Sequence, residues 1–287
     1  MKPARFDYHA PESVEEAVAL LGRFGGEARV LAGGQSLVPM MNFRVVAPPA
    51  LIDLNRIPAL AYIREEAGMV LIGAMTRQRQ LEFSPVIRER LPLLAEAIGL
   101  VGHLPTRSRG TIGGSIAHAD PSAEIPMVLQ ALEGDVVAQG MRGTRRIKAA
   151  DLFRAPLTTA LEADEILTEI RLPVMPVKSG YAVEEFSRRH GDFAIAAIAA
   201  TVLRAGDGCA TARLATSGIG PVSARLRAAE AVLERDGLGA AAIEKAAKLA
   251  AASVEPITDH NASAEFRRHL TDVLARRALL RASARAR

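Results

Sequence analysis

The chain has one cysteine and no tryptophan among its 287 residues, and each scarcity excludes a class of site. Because Cys209 is single, no intrachain disulfide can form, which fits a cytoplasmic protein. Iron–sulfur clusters take four cysteine thiolates, so this chain cannot hold one with its own thiolates. Aromatic residues make up 4% of the chain, whereas base-stacking surfaces place aromatic rings among cations, so we expect no nucleic-acid partner.

Long apolar runs are absent as well. The longest, residues 193–203, is much shorter than the roughly 20 residues that a membrane helix needs. Residues 1–11 carry charge and have no apolar core, so we expect no signal peptide. We therefore predict no transmembrane segment and a cytoplasmic location.

The order of the predicted elements indicates two domains of the α+β class. Pro173 and Pro176 mark a linker, and beyond it the strands precede the helices rather than alternate with them. Hydrophobic residues make up 49% and charged residues 24% of the chain, which is an ordinary globular composition. The predicted domains are residues 1–177, with lobes of about 1–56 and 57–177, and residues 178–287.

Local patterns predict the elements inside each domain. The first lobe has a compact β-α-β beginning: a helix capped by Ser13 ends at Gly25-Gly26, and short strands follow at 28–31 and 50–54. The rest of the first domain is predicted as a hairpin at 60–73, a helix over 87–100, a loop containing His103, Pro105 and Arg107, a helix from Ser122 to 132, and strands at 136–139 and 166–172. The second domain is predicted as antiparallel strands at 184–187, 194–204 and 210–217 with turns at 190–192 and 206–208, then helices at 224–235, 240–253 and 264–284.

Two glycine pairs in matching settings are the main candidates for a binding site. Residues 32–37 read Ala-Gly-Gly-Gln-Ser-Leu, and residues 110–115 read Gly-Thr-Ile-Gly-Gly-Ser. Glycine permits positive φ and close approach of a ligand, and successive N–H groups in such turns form an anion-binding nest. Two nests in one chain predict one large ligand with two phosphates, such as a dinucleotide.

The residues alone leave other interpretations open. Each motif taken singly fits a tight turn as well as a binding loop. Neither has the Rossmann spacing, and no Gly-Lys-Ser or Gly-Lys-Thr is present for a phosphate loop. His103 and His118 have no metal-ligand spacing, and Ser36 lacks the Gly-x-Ser-x-Gly elbow of hydrolases. Asp120 and Glu124 are better explained as ligand-binding or capping residues than as an acid–base pair.

The two motifs, in their wider setting, resemble a known family. Residues 32–41 read Ala-Gly-Gly-Gln-Ser-Leu-Val-Pro-Met-Met, and residues 111–121 read Thr-Ile-Gly-Gly-Ser-Ile-Ala-His-Ala-Asp-Pro. This pairing is similar to that of the FAD-binding medium subunits of molybdenum hydroxylases, the xanthine dehydrogenase and carbon monoxide dehydrogenase family. The resemblance continues through residues 186–194 and covers essentially the whole chain.

The resemblance implies a fold and a set of cofactor contacts. The fold is a two-lobed, PCMH-type FAD-binding domain followed by an antiparallel sheet with a helical bundle. Both loops would wrap the FAD diphosphate with N–H groups and with the hydroxyls of Ser36 and Thr111. Glu124 would bond FAD hydroxyls, and Phe193 would lie near the isoalloxazine ring. The implied FAD-binding residues are Ala32, Gly33, Gly34, Gln35, Ser36, Leu37, Val101, Thr106, Gly110, Thr111, Ile112, Gly113, Gly114, Ser115, Ala117, Asp120, Glu124, Leu167 and Phe193.

The resemblance also implies partners. This chain would receive electrons from a [2Fe–2S] small subunit, which takes them from a molybdopterin large subunit, in a dimer of heterotrimers. It would pass them to an external acceptor with no catalytic side chain and no metal of its own. It departs from the family pattern at Gln35, Ser115 and Phe193, where His, Asn and Tyr are common, and at residues 106–108. A stand-alone FAD oxidase or dehydrogenase, and a nucleotide-binding protein without redox chemistry, are the alternatives.

Overall fold

The computed structural model describes residues 1–206 and 208–286, which form three main sheets in three successive parts of the chain. We call these parts lobe 1, lobe 2 and the C-terminal domain; their sheets span residues 7–53, 63–173 and 180–225. The exact domain limits given above stay a prediction. The predicted turn at 206–208 includes Asp207, which lies outside the described residues, as does Arg287.

Lobe 1 is a three-stranded parallel sheet. Its elements are β1 (Asp7–His9), α1 (Val14–Arg23), β2 (Arg29–Leu31), α2 (Leu37–Asn42) and β3 (Ala50–Asp53), with sheet order β1-β3-β2. The predicted cap of α1 is confirmed, because the Ser13 hydroxyl accepts a hydrogen bond from Glu16 N at 3.1 Å. The helix buries Ala17, Val18 and Leu21 in the core of this lobe.

Lobe 2 is a five-stranded antiparallel sheet in the order β4-β5-β10-β6-β7, with helices packed against it. Its first half contains β4 (Ile63–Glu66), β5 (Met69–Gly73), α3 (Gln78–Phe83), α4 (Pro85–Arg90), α5 (Pro92–Ile98), α6 (Leu104–Arg109) and α7 (Ile112–His118). Its second half contains α8 (Glu124–Ala131), β6 (Asp135–Gly140), β7 (Gly143–Lys148), α9 (Ala149–Leu152), β8 (Phe153–Ala155), β9 (Thr158–Thr159) and β10 (Ile166–Pro173).

Several predictions for lobe 2 are wrong in detail. The single helix predicted over 87–100 is two helices, α4 and α5, because Pro92 has no N–H to continue the first one. The predicted loop is wrong beyond His103, because Pro105 and Arg107 lie in α6, for which Pro105 is well suited as an early helical residue. Ser122 does not cap α8, since that helix begins at Glu124. The hairpin between β4 and β5 forms as predicted.

The C-terminal domain is a four-stranded antiparallel sheet covered by three helices. Its elements are β11 (Gly180–Phe186), β12 (Ala196–Ala205), β13 (Gly208–Ser217), β14 (Ala224–Arg225), α10 (Arg227–Asp236), α11 (Ala240–Ser253) and α12 (Ala264–Arg285). The predicted sheet and bundle are present, and α11 has the predicted bounds. Residues 224–225 are wrongly predicted as helix, because they pair with β13 as an added strand.

Lobe 2 and the C-terminal domain share one apolar core and are joined by ion pairs. The core that includes Ile72 and Leu94 of lobe 2 also contains Val183, Ala197 and Ala215 of the C-terminal sheet. Glu96 of α5 accepts from both Arg281 and Arg285 of α12 at 2.9 and 2.6 Å. No helix among the described residues combines the length and apolarity that crossing a bilayer requires.

Candidate functional site

The first glycine loop, residues 32–36, lies at the carboxyl edge of the parallel sheet of lobe 1. It follows β2, and at the same edge the neighbouring strand β3 ends at Asp53, with Asn55 just beyond it. In parallel α/β sheets this edge is where ligands bind, because the loops after adjacent strands converge there. The Asn55 amide donates to the carbonyl oxygen of Ala32 at 2.9 Å, so the two strand ends are joined by a side chain.

A cavity of about 330 Å³ opens at this edge. Its walls come from the first glycine loop, from α2, from the residues after β3 and from one residue of lobe 2. The lining residues are Leu31, Ala32, Gly33, Gly34, Gln35, Val38, Pro39, Asn42, Asp53, Asn55 and Arg109. We call it the first cavity.

The backbone donors of the first loop are free. The N–H groups of residues 33–37 find no acceptor among the described residues. Gly34 has φ of 73°, a conformation that turns successive N–H groups toward one side and favours glycine. The Ser36 hydroxyl makes no capping bond to α2 and is also available. This loop therefore has the donor set that an anion needs.

The second glycine loop, residues 110–114, is bonded differently. Ile112 N donates to Thr76 O at 3.1 Å, and Gly113 N donates to Ala74 O at 2.9 Å. Gly114 N donates to the Thr111 hydroxyl at 3.0 Å, which caps α7. These three N–H groups already have protein acceptors, unlike those of the first loop, and their expected contact with a diphosphate stays a prediction. The hydroxyls of Thr111 and Ser115 remain as possible donors from this loop.

The two loops lie in contact. A Cβ built on Gly33 would lie 2.4 Å from the carbonyl oxygen of Arg109 and 2.8 Å from the Cα of Gly110. A Cβ on Gly113 would lie 2.5 Å from that of Ala74. Among the glycines of the two motifs, Gly34 has positive φ and the others do not, so most of them are not required for a left-handed backbone conformation. The missing side chain instead allows close packing, against backbone at Gly33 and against side chains at Gly110 and Gly114.

Two arginines give this region positive charge. Arg77, which precedes α3, donates to the carbonyl oxygen of Arg109 at 2.7 Å and to Oδ1 of Asn55. Burial, followed by the charge of Arg109, lowers the pKa of Arg77. The sequence interpretation missed Asp53, Asn55, Arg77 and Arg109. The polar residues at the carboxyl end of the strand at 50–53 are the available signal for the first two.

The remaining predicted residues are spread around lobe 2. Val101 and Leu167 are buried, and Ala117 is exposed on α7. Thr106 lies on α6, beside the turn that contains Gly102. None of these residues lines the first cavity.

Two acidic residues lie at the start of α8. Asp120 accepts from Ser122 N at 2.8 Å, so its carboxylate shapes the turn before the helix. Glu124 is 4% exposed. Burial, followed by the nearby charge of Glu185, raises the pKa of Glu124 to about 8, and burial raises that of Glu185 to about 7. A carboxyl buried without a cation beside it is a hydrogen-bonding group suited to a neutral hydroxyl.

Phe193 lies at a second cavity, of about 410 Å³, which shares no lining residue with the first. The ring is 60% exposed, and the cavity is lined also by Ser122 of lobe 2 and by Arg267 of α12. The structure therefore places Phe193 apart from the glycine loops. An extended ligand would be needed to reach both cavities.

The parallel-sheet edge, the free donors of residues 33–37 and the two arginines fit the phosphates of a nucleotide. The fold and this site together define a protein that binds a nucleotide-type cofactor. Residues 4–175 match the family described as the FAD binding domain in molybdopterin dehydrogenase, and residues 181–282 match the CO dehydrogenase flavoprotein C-terminal domain. The chain belongs to this family of FAD-binding medium subunits of molybdenum hydroxylases, and its cofactor is FAD.

Individual relatives agree with this assignment along the whole chain. The carbon monoxide dehydrogenase medium chain of Hydrogenophaga pseudoflava is 41% identical over 285 residues, which cover 99% of each chain. Subunit alpha of the 6-hydroxypseudooxynicotine dehydrogenase complex of Paenarthrobacter nicotinovorans is 41% identical over 288 residues, covering 100% of this chain and 97% of the relative. A solved carbon monoxide dehydrogenase from H. pseudoflava superimposes with a TM-score of 0.98 at 43% identity, covering all of both chains.

The comparisons confirm the predicted α+β fold class, the FAD cofactor and the role as an oxidoreductase subunit. They favour the flavoprotein subunit over the stand-alone oxidase. The relatives are named as a dehydrogenase complex subunit or as medium chains of carbon monoxide dehydrogenases, so each is one of several chains. The assignment of individual residues to FAD stays a prediction.

Proposed function

We propose that this chain carries electrons between an iron–sulfur subunit and an external acceptor. A [2Fe–2S] small subunit would deliver electrons that a molybdopterin large subunit takes from the substrate. The complex would be a dimer of heterotrimers in the cytoplasm. The relatives support this arrangement, because they are named as subunits of dehydrogenase complexes. Bound FAD supplies the one- and two-electron chemistry, and the protein supplies binding, orientation and electrostatics.

One observation carries the proposed cofactor site: five consecutive N–H groups, residues 33–37, have no acceptor within the described residues, and residues 33–35 line the first cavity. Unpaired backbone donors are uncommon in folded proteins, so a row of them points to a ligand or to solvent. We assign the diphosphate to this loop. The hydroxyls of Ser36, Thr111 and Ser115 are the side-chain donors that we assign to it.

The acidic and apolar residues would hold the rest of the cofactor. We assign Asp120 and Glu124 to ligand hydroxyls, because a buried carboxyl can accept or share a proton with a neutral hydroxyl. We assign Val101 and Leu167 to apolar contact with the ring systems, and Phe193 to the isoalloxazine side. The two cavities share no lining residue, which fits an extended cofactor with a different group in each.

The test is to co-express this chain with the products of neighbouring genes and to purify the complex through a tag on this chain. We expect iron, molybdenum and FAD in the purified material, and substrate-dependent reduction of the flavin. The isolated chain should bind FAD and oxidise no aldehyde, heterocycle or carbon monoxide. Rapid flavin reduction by an organic substrate with this chain alone would overturn the subunit proposal and favour the stand-alone oxidase.

A further inference from the structure

Arg77 connects the two glycine loops through its side chain. Its guanidinium donates to the carbonyl oxygen of Arg109, at the start of the second loop, at 2.7 Å and to Oδ1 of Asn55. The Asn55 amide donates in turn to the carbonyl oxygen of Ala32, in the first loop, at 2.9 Å. One side chain of lobe 2 thus reaches the first loop of lobe 1 through a single intermediate residue.

The backbone around Arg77 holds the second loop as well. Residues 77 and 111 form an antiparallel bridge. Its two hydrogen bonds run from Gln78 N to Gly110 O at 2.9 Å and from Ile112 N to Thr76 O at 3.1 Å. The segment 76–78 is therefore hydrogen-bonded to the backbone of the second loop. The Arg77 side chain extends from this segment toward lobe 1.

The charge balance near this connection favours an anion. Arg77 and Arg109 are cations that repel each other. Burial, followed by this repulsion, disfavours the charged form of Arg77 and so lowers its pKa. Asp53 is the carboxylate that acts on Arg77, and it already accepts from the Tyr8 hydroxyl at 2.6 Å and from Asn55 N at 2.9 Å. Two guanidinium groups against one carboxylate leave positive charge beside the first cavity. A diphosphate in that cavity would compensate it.

We infer that Arg77 is a positioning residue for the FAD diphosphate, which holds the two glycine loops at a fixed spacing and supplies positive charge behind them. This inference rests on the proposed cofactor site. Arginine suits both tasks, because its planar guanidinium bonds two acceptors at once while keeping its charge. Lysine would keep the charge and lose the two-acceptor geometry.

The experiment compares Arg77→Gln, Arg77→Lys and a matched control, Arg79→Gln, on the full chain freed of flavin and titrated with FAD. Arg79 lies two residues away on α3 and pairs with Glu82 at 2.8 Å, whereas Arg77 bonds Asn55 and the carbonyl oxygen of Arg109. We expect Arg77→Gln to weaken FAD binding about tenfold or more. We expect it also to reduce the dependence of the FAD dissociation constant on salt, which a merely structural role would leave unchanged. Arg77→Lys should bind FAD with intermediate affinity and keep the wild-type salt dependence, and Arg79→Gln should behave as wild type.

Three results would overturn the inference: wild-type FAD affinity in Arg77→Gln, an unchanged salt dependence in that variant, or an equal loss in Arg79→Gln. If Arg77→Gln does not fold, Asn55→Ala tests the inference instead, because it removes the side chain that links Arg77 to the first loop. Unchanged FAD affinity in Asn55→Ala would then refute the connection. Failure of the wild-type chain to bind FAD at all would instead refute the proposed cofactor site, so the two failures are distinguishable.

Discussion

Gly33 and Arg109 lie in backbone contact across two lobes, so close that a Cβ on Gly33 would come within 2.4 Å of the Arg109 carbonyl oxygen. This contact brings the first and second glycine loops together at one wall of the first cavity. It also explains why glycine is required at position 33 although its φ is not positive. The spacing of the loops, and hence the shape of the cofactor site, depends on the absence of a side chain there.

Gly33→Ala should therefore separate the loops and weaken FAD binding. Overpacking of a tight contact costs about 1–3 kcal/mol, which corresponds to about tenfold or more in affinity if the bound form bears the cost. Flavin retained after gel filtration, and the FAD dissociation constant, measure the effect. Gly239→Ala is the control, because a Cβ there would meet nothing within 4 Å. Full flavin occupancy in Gly33→Ala would show that the loops can move apart without consequence.

Ser36→Ala should weaken FAD binding without destabilising the flavin-free protein. The Ser36 hydroxyl makes no capping bond to α2, so its removal costs the folded chain little. A hydrogen bond to an ionised phosphate contributes about 1.5–3 kcal/mol, or about tenfold or more in affinity. Isothermal titration and thermal unfolding of the same preparation check both parts. An unchanged dissociation constant would mean that this hydroxyl faces away from the cofactor.

Thr111→Ala should differ from Ser36→Ala by affecting stability as well. The Thr111 hydroxyl accepts from Gly114 N at 3.0 Å and caps α7, and losing such a cap costs about 0.5–2 kcal/mol. We expect a lower midpoint in denaturant for the flavin-free protein, in addition to weaker FAD binding. Thr111→Ser, which keeps the hydroxyl, should restore most of both. Equal stability of Thr111→Ala and wild type would contradict the capping role.

Glu124 should make the stability of the flavin-free protein depend on pH. Its pKa is about 8 in the folded chain against an ordinary value of 4.5, mainly because it is buried. Between these values the folded chain holds a proton that the unfolded chain has lost. The free energy of unfolding should therefore fall as the pH rises from about 4.5 to 8, and the contribution of Glu124 should be fully present below that range.

Glu124→Gln tests this dependence, because the amide is neutral at every pH. We expect its unfolding free energy to fall less between pH 5 and pH 8 than that of wild type, with Glu185 supplying part of the remaining slope. Glu244→Gln is the control, since Glu244 is an exposed partner of Lys248 and should leave the slope unchanged. A slope in Glu124→Gln as steep as that of wild type would contradict the prediction.

Features set by neighbours in sequence could be predicted, and those set by distant contacts could not. The cap at Ser13 and the bounds of α11 follow from local patterns, and both are confirmed. The bonding of the second glycine loop could not be read from its own residues, because the acceptors of Ile112 N and Gly113 N are Thr76 and Ala74, more than 30 positions away. The link from Arg77 to the first loop is equally non-local. The two motifs look alike in sequence, and they differ in the structure because their contacts with distant residues differ.

The central claim, that the first glycine loop binds the FAD diphosphate through its backbone, can be tested by amide hydrogen exchange with and without one equivalent of FAD. We expect the N–H groups of residues 33–36 to exchange rapidly in the flavin-free chain and slowly in the complex with FAD. Those of Ile112 and Gly113 should be protected in both states, because they already donate to protein carbonyls. If the N–H groups of residues 33–36 exchange as fast in the chain saturated with FAD as in the flavin-free chain, this loop does not bind the diphosphate through its backbone.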